Sequence, residues 1–582
     1  MPARTAQSSQ YCRENHRILL AKSPHEPAAC WGMLRLSDSQ AIPPETARVA
    51  RAAFPKGSPY LVLRDELGTV FQDEDFVDLY PRRGQPALPP WRLALVTLVQ
   101  YRENLSDRQA AEAVRARIDI KYLLGMPLAD AGFDFSVLCE FRARLRESGS
   151  EATLLDRLLQ RCRELGLVRA GERARTDATR VLAAVRVMNR LELVAETLRA
   201  TLNELARVAP AWLRKVAPAA WYERYARRIE DSRLPGNKAA REAYAKTVGE
   251  DGYHLLDAAP PGLADLPAFA VLRRVWERHF SRDNDSGGDG AAGTRARLRP
   301  ERELAKAAEA TESPYDPDAR YRSRFGVEWT GYLAHLTETC EANEPHLITH
   351  VDTTAATVHE VRRVEAIHDA LAAKDLLPGE HLADAAYIDA KLVVKVREEH
   401  GVSMIGPPRR DASWQARTAG GFTNEAFAID WDNKRACCPQ GHESNSWREY
   451  EDDARGAYVV ARFATATCRA CPLRSRCTRS GKQGRSLHLH PRDAHEAIGA
   501  MRERLASNAG RELYALRAGV EGTISQGVRA LGLRRARYRG LERVHLQHVA
   551  TAAAMNIDRV TNFLAGRPLE RTRTSRFAAL RA

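Results

Sequence analysis

The feature that most restricts this chain is a series of short strand-like stretches joined through helices. GVEWTGYLAHLTETC (326–340) and HLITHVDTT (346–354) alternate apolar and polar residues, and TVHEVRRVEAIHDALAAKDLL (357–377) then places its apolar residues at helical spacing. GEHLADAAY (379–387) and GVSMIGPP (401–408) follow as further strands with a helix between them. Strands joined through a helix pair in parallel, so this pattern predicts an α/β layer. RTDATRV (175–181) is a further short strand, far upstream.

At 582 residues the chain exceeds the roughly 250–300 at which one core stops growing, so the expected fold is multidomain. Residues 1–44 carry little periodicity and are expected to be a poorly structured extension; Met33 is an alternative start. Residues 45–165 are helical: PPWRLALVTLVQYRENL is apolar-periodic, Ser106 and Gln109 form a capping box, and Ser136 is expected to cap SVLCEFRARLRE. Residues 166–560 form the α/β domain, with a helical insertion at 207–315 and a β-rich, cysteine-containing insertion at 409–490. The run SRDNDSGGDGAAGTRARLR within the first insertion reads as a loop. Residues 561–582 form a basic tail.

The formal net charge of +14 points to a polyanion, because neutralising phosphates releases counterions. No apolar run approaches the ~18–20 residues of a membrane helix, and no apolar secretory core follows the N-terminus. The expectations are a cytoplasmic protein, no membrane, and double-stranded DNA as partner, with the N-terminal helices a helix-turn-helix-like reader. Ten cysteines are too few for a disulfide scaffold. Cys468, Cys471 and Cys477 nevertheless cluster, and with Cys438 they offer the four thiolates of a structural zinc site, Cys437 or His442 being substitutes.

Three acids stand out by context. Asp177 lies in a strand, Asp384 at the end of another, and Glu521 in the helical LYALRAGVEGTISQG beside Tyr514 and Arg517 at helical spacing. Carboxylates converging from strand ends and a helix suit two-ion phosphoryl transfer with Mg2+ or Mn2+. Asp352, in THVDTT, is the rival second carboxylate; Asp389 reads as a helix-surface acid. Gly519, Gly522 and Gly527 weaken the Glu521 helix, which suggests a close approach by a DNA backbone. Downstream, Arg534, Arg535, Arg537, Arg539 and Arg543 surround Tyr538 in GLRRARYRGLERVH: arginine forks suit phosphates, and the tyrosine suits stacking on a base.

TDATRVLAAVRVMNRLELVAETLRATL, GEHLADAAYIDA and RAGVEGTISQGVRALGLRRARYRGLERVHLQH resemble bacterial transposases of the insertion-sequence 1182 group, and LSDRQAAEAVRARIDIKYLLGMPL resembles that group's N-terminal domain. The likeness runs from about residue 33 to 562. It implies an RNase H-like catalytic domain, a catalytic triad of Asp177, Asp384 and Glu521 binding two magnesium ions, and a nucleoid-associated bacterial protein. It also implies cleavage and strand transfer at terminal inverted repeats and target DNA by a homo-oligomer. The related insertion-sequence 4 group carries a Tyr, Arg, Glu, Lys signature; Tyr514, Arg517 and Glu521 fit it, whereas Val528 fills the last place with Arg529 beside it as the substitute cation. Leu333 stands where relatives carry lysine. The alternatives are a silent DNA-binding derivative and a nuclease of the same fold.

Overall fold

The computed structural model describes residues 33–34, 40–283, 295–304, 309–452, 456–567 and 576–580. Most of the expected N-terminal extension (1–32 and 35–39), most of the low-complexity run (284–294) and part of the basic tail (568–575 and 581–582) lie outside these residues. Among the described residues no helix is long and apolar enough to cross a membrane.

One six-stranded sheet organises the chain. Its strands are β1 (Arg173–Leu182), β2 (Arg320–Arg324), β3 (Val327–Thr339), β4 (Ile348–Ala355), β5 (Glu380–Ala383) and β6 (Ser403–Ile405). β1 lies between β3, antiparallel, and β5, parallel; β6 continues in parallel beyond β5. The far edge of the long β3 is shared, its first residues pairing with β2 and Tyr332–Glu338 with β4, both antiparallel. The predicted crossover pairing appears between β5 and β6, which a helix, Ala390–His400, connects. Asp389 caps that helix by accepting from the Lys391 and Leu392 amides. Its role is capping rather than surface charge.

The N-terminal helices do not stand apart. Helix α1 (Pro90–Arg102) is buried on nearly every side, its apolar residues being spread around the helix rather than along one stripe. Its side chains share one continuous apolar cluster with the sheet (Leu336, Val351) and with the long C-terminal helix (Val549, Ile557). The Ser106–Gln109 capping box is present. Ser136 begins its helix but does not cap it; its amide donates to Asp134 instead.

The helical insertion starts earlier than its composition suggested. Helix α2 (Arg190–Val208) packs with α3 (Pro267–His279) around Trp221, Phe269 and Trp276, a core separate from that of the sheet. Gly252 makes this possible, since a Cβ there would sit 2.1 Å from the Trp276 ring. The ends of the expected loop pair as a hairpin, Phe280–Asp283 with Arg295–Leu298. The cysteine-bearing segment carries short strands: β7 (Ala428–Asp430) pairs with β8 (Arg435–Cys437), and β9 (Ser446–Asp452), β10 (Gly456–Arg462) and β11 (Ser486–Leu489) form a three-stranded sheet. Its core is small, built on Phe427, Val459, Phe463, Leu487 and Leu489.

The C-terminal helices are α4 (Asn508–Ala515), α5 (Gly519–Leu531) and α6 (Leu541–Leu564). The fully buried Asn556 of α6 binds the edge of the sheet in both senses: its amide donates to the Ile348 carbonyl and its carbonyl accepts from the Ile348 amide, each at 2.8 Å. Asn556→Leu therefore leaves two buried backbone groups unpaired. The expected cost is roughly 2–4 kcal/mol, read as lost hydrogen-exchange protection at Ile348.

Candidate functional site

The register of the parallel pair builds the centre of the site. Thr176 lies opposite Ala383, so the next residues, Asp177 and Asp384, occupy adjacent positions where β1 and β5 run side by side. Asp384 is fixed by the turn that follows, accepting from the Ala386 amide at 2.9 Å. Asp177 is held from the opposite side: Arg517 donates to it at 3.0 Å and to Glu521 at 2.7 Å. The guanidinium thus bridges the first and third predicted acids. Burial pushes the Asp177 pKa up to about 6; the Ala178 amide opposes this, the Asp384 charge adds to it, and Arg517 offsets part of it.

Glu521 is placed by a broken helix. A single helix carrying Tyr514, Arg517 and Glu521 was expected; instead α4 ends at Ala515, a tight 3-10 turn spans Leu516–Ala518, and α5 begins at Gly519. Arg175, two residues before Asp177 on β1, donates to the Leu516 carbonyl at 2.6 Å, and a Cβ on Gly519 would lie 2.0 Å from its guanidinium. Gly519 is therefore required by protein packing, not by DNA. Gly527 is likewise pressed against Leu533 and Met555, whereas Gly522 faces open space. Tyr514 remains beside Arg517, with the guanidinium carbon 5.9 Å from the ring centroid.

The composition did not single out the anchor of this arrangement, Glu338. It is fully buried on β3 opposite Arg175, whose Nε reaches it at 2.7 Å. Its other oxygen accepts from Arg559 of α6 at 2.7 Å and Thr523 of α5 at 2.6 Å. Burial alone would push this carboxyl up, but Arg559, Arg175 and Thr523 hold it below the usual range. The only sign of it in the sequence was an acid inside a strand-like stretch, LAHLTETC.

Asp177, Thr179 and Glu521 open on a cleft of about 410 Å³. Glu521, Ile524, Ser525, Val528 and Arg529 line it from one face of α5, at the i, i+3, i+4, i+7, i+8 spacing of a helix. The residue in the lysine's place, Val528, and its neighbour Arg529 both reach this cleft. Arg534 completes the wall, donating to Thr179 at 2.8 Å.

Of the remaining basic residues, Arg537 and Arg539 are engaged within the protein, whereas Arg535 is exposed. Residues 532–540 form an irregular connector between α5 and α6. Arg535 contributes its carbonyl to Gln547. Arg537 lies over the Tyr101 ring at 4.7 Å, and the Tyr538 hydroxyl meets that of Tyr101 at 3.2 Å, so the tyrosine joins the N-terminal helices rather than facing solvent. Arg539 lies over Tyr315 at 5.0 Å. Arg543 sits in the first turn of α6.

Asp352, the rival carboxylate, is engaged elsewhere. It pairs with Arg363; burial works to raise its pKa, but Arg363, with His335 and His350, holds it below the usual range. Leu333 is buried against Trp329 and Ala356, so the position serves packing. Cys438, Cys468, Cys471, Cys477 and His442 line one small cavity, which Cys437 does not reach.

Residues 437–561 match the model of a Transposase DDE domain, and residues 48–144 match that of a Transposase domain (DUF772). No curated protein matches the chain. The first match includes Tyr514, Arg517 and Glu521, whereas Asp177 and Asp384 lie outside both. Together the matches support a DDE transposase.

A raised Asp177 pKa means that its neutral form is favoured in the folded chain. This contribution is full below the ordinary value near 4 and is lost as pH rises through about 6. Asp177→Asn should therefore stabilise the metal-free protein by up to roughly 2–3 kcal/mol at pH 8, and the gain should vanish near pH 4. Thermal melts at the two pH values check this, with a gain that persists at pH 4 counting against the assignment.

Proposed function

We propose that this chain is a DDE transposase that binds the ends of its element and catalyses DNA cleavage and strand transfer. The observation that carries the reading is that Arg517 bridges Asp177 and Glu521, both opening on one arginine-walled cleft, while Asp384 follows the end of the strand paired with that of Asp177. The sheet, with an antiparallel half ending at β1 and a parallel half starting there, fits an RNase H-like catalytic domain.

The donor set fits a hard divalent cation, since it consists of carboxylates beside open space, the preference of Mg2+ or Mn2+. Among the described residues no three acidic, histidine or cysteine side chains already stand together as a metal cage. Arg517 fills the gap between Asp177 and Glu521, so it has to release both for the acids to converge. Asp177, Asp384 and Glu521 would then hold two ions, which supply activation of the attacking oxygen and stabilisation of the leaving one. Until then Arg517 offsets the repulsion that the acids would otherwise exert on one another.

The chain's other residues act on the DNA. Arg529 and Arg534 face the phosphate that enters the cleft, Arg529 in the place of the signature lysine. The reaction is hydrolysis of a phosphodiester at the element end, followed by in-line attack of the freed 3′-hydroxyl on target DNA. The N-terminal helices recognise terminal inverted repeats, and bringing two ends together calls for more than one copy of the chain. On this reading the protein works on DNA in a bacterial nucleoid.

The deciding experiment incubates the full chain, Mg2+ and oligonucleotides carrying the element's ends. The parent should yield joined products, and Asp384→Asn should reduce them at least a hundredfold, a loss on the scale of removing a key electrostatic group. A parent that binds ends without cutting would instead be a silent derivative, and cutting without joining would mark a nuclease. In binding assays, Arg529→Ala should lower the slope of log K against log salt by about 0.9, one phosphate contact. An unchanged slope would remove Arg529 from the interface.

A further inference from the structure

We infer that the β-rich insertion is a zinc-binding module, its ion held by Cys438, Cys468, Cys471 and Cys477. The inference does not depend on the transposase reading, because these residues lie outside the carboxylate cleft.

Two segments far apart in sequence supply the sulfurs, and the structure brings them to one cavity of about 30 Å³. Such a space admits one or two water-sized bodies, which suits a single ion and excludes an organic ligand. The first segment is a turn: the Cys438 amide donates to the His442 carbonyl at 2.9 Å, and the Gly441 amide to the Cys438 carbonyl at 2.8 Å. Gly441 adopts φ 78°, which suits glycine in so tight a reversal. In the second segment, Cys468 lies in the helix Thr465–Ala470, Cys471 follows its end, and Cys477 ends the next short helix. The Arg485 amide donates to the Cys468 sulfur at 3.4 Å, which holds that sulfur in place at the cavity.

Charge and size agree with this. Four thiolates around Zn2+ carry a net charge of −2, and the guanidinium groups of Arg474 and Arg485 line the same cavity. The insertion has only a small apolar core, and its cysteines are free thiols rather than disulfides. Small modules of this kind commonly need a metal or a crosslink. Cys437 is not a ligand: its sulfur turns toward the Cys438 carbonyl. Among the described residues no three donors already stand together as a metal cage, so the sulfurs close by side-chain rotation as the ion enters. Four S–H bonds break, four Zn–S bonds form, and four protons leave to solvent, without change of oxidation state.

The test uses the full chain, purified in reductant and stripped of metal. Titration with Co2+ should produce sulfur-to-cobalt charge-transfer absorption and tetrahedral d–d bands saturating at about one equivalent, and Zn2+ should abolish both. Cys468→Ser combined with Cys471→Ser should lose the signal, while Cys437→Ser and Asp384→Asn should keep it. Absence of the charge-transfer band in the unmutated, reduced chain overturns the proposal whatever the variants do. So does a band that survives in the double variant.

Discussion

Glu338 is the interaction on which the rest of the site depends. A carboxylate with no exposed surface is costly unless its charge is met, and here two arginines and a threonine meet it. Each partner belongs to a different element: Arg175 to β1, Thr523 to α5 and Arg559 to α6. The ion cluster therefore fixes how the helix bearing Glu521 lies across the strand bearing Asp177. Arg175 extends the effect by holding the Leu516 carbonyl, so the turn that aims Arg517 is anchored by the same group.

The site is also balanced in charge. Asp177 and Asp384 are neighbours on parallel strands, and burial already disfavours ionised Asp177. Arg517, between Asp177 and Glu521, supplies the positive charge that such an arrangement needs when the protein stands alone. A group in that position has two effects. It stabilises the folded protein, and it competes with whatever cation the carboxylates take up.

Much of this was legible in the sequence, and the misses have physical causes. The crossover strands were readable because period-two and helical patterns alternate over short distances. Asp177 and Asp384 stood out by their places at strand ends, and Glu521 by its helical spacing from Arg517, which donates to it at 2.7 Å. The glycines around Glu521 misled: Gly519 and Gly527 do mark close approaches, but the approaching groups are Arg175, Leu533 and Met555, which pattern alone cannot identify. Part of the basic run is engaged inside the protein. Arginine and tyrosine recognise phosphates and bases, yet the same chemistry stacks Arg537 on Tyr101 and Arg539 on Tyr315. The N-terminal helices looked like a separate unit because local periodicity says nothing about which partner covers an apolar face.

The connector at 532–540 carries a mechanical consequence. Within six residues it grips β1 through Arg534, the N-terminal helices through Arg537 and Tyr538, and the helical insertion through Arg539. A segment pinned at three bodies cannot follow one of them without straining its hold on the others. Tilting the insertion against the N-terminal helices would therefore load the arginine at the mouth of the cleft.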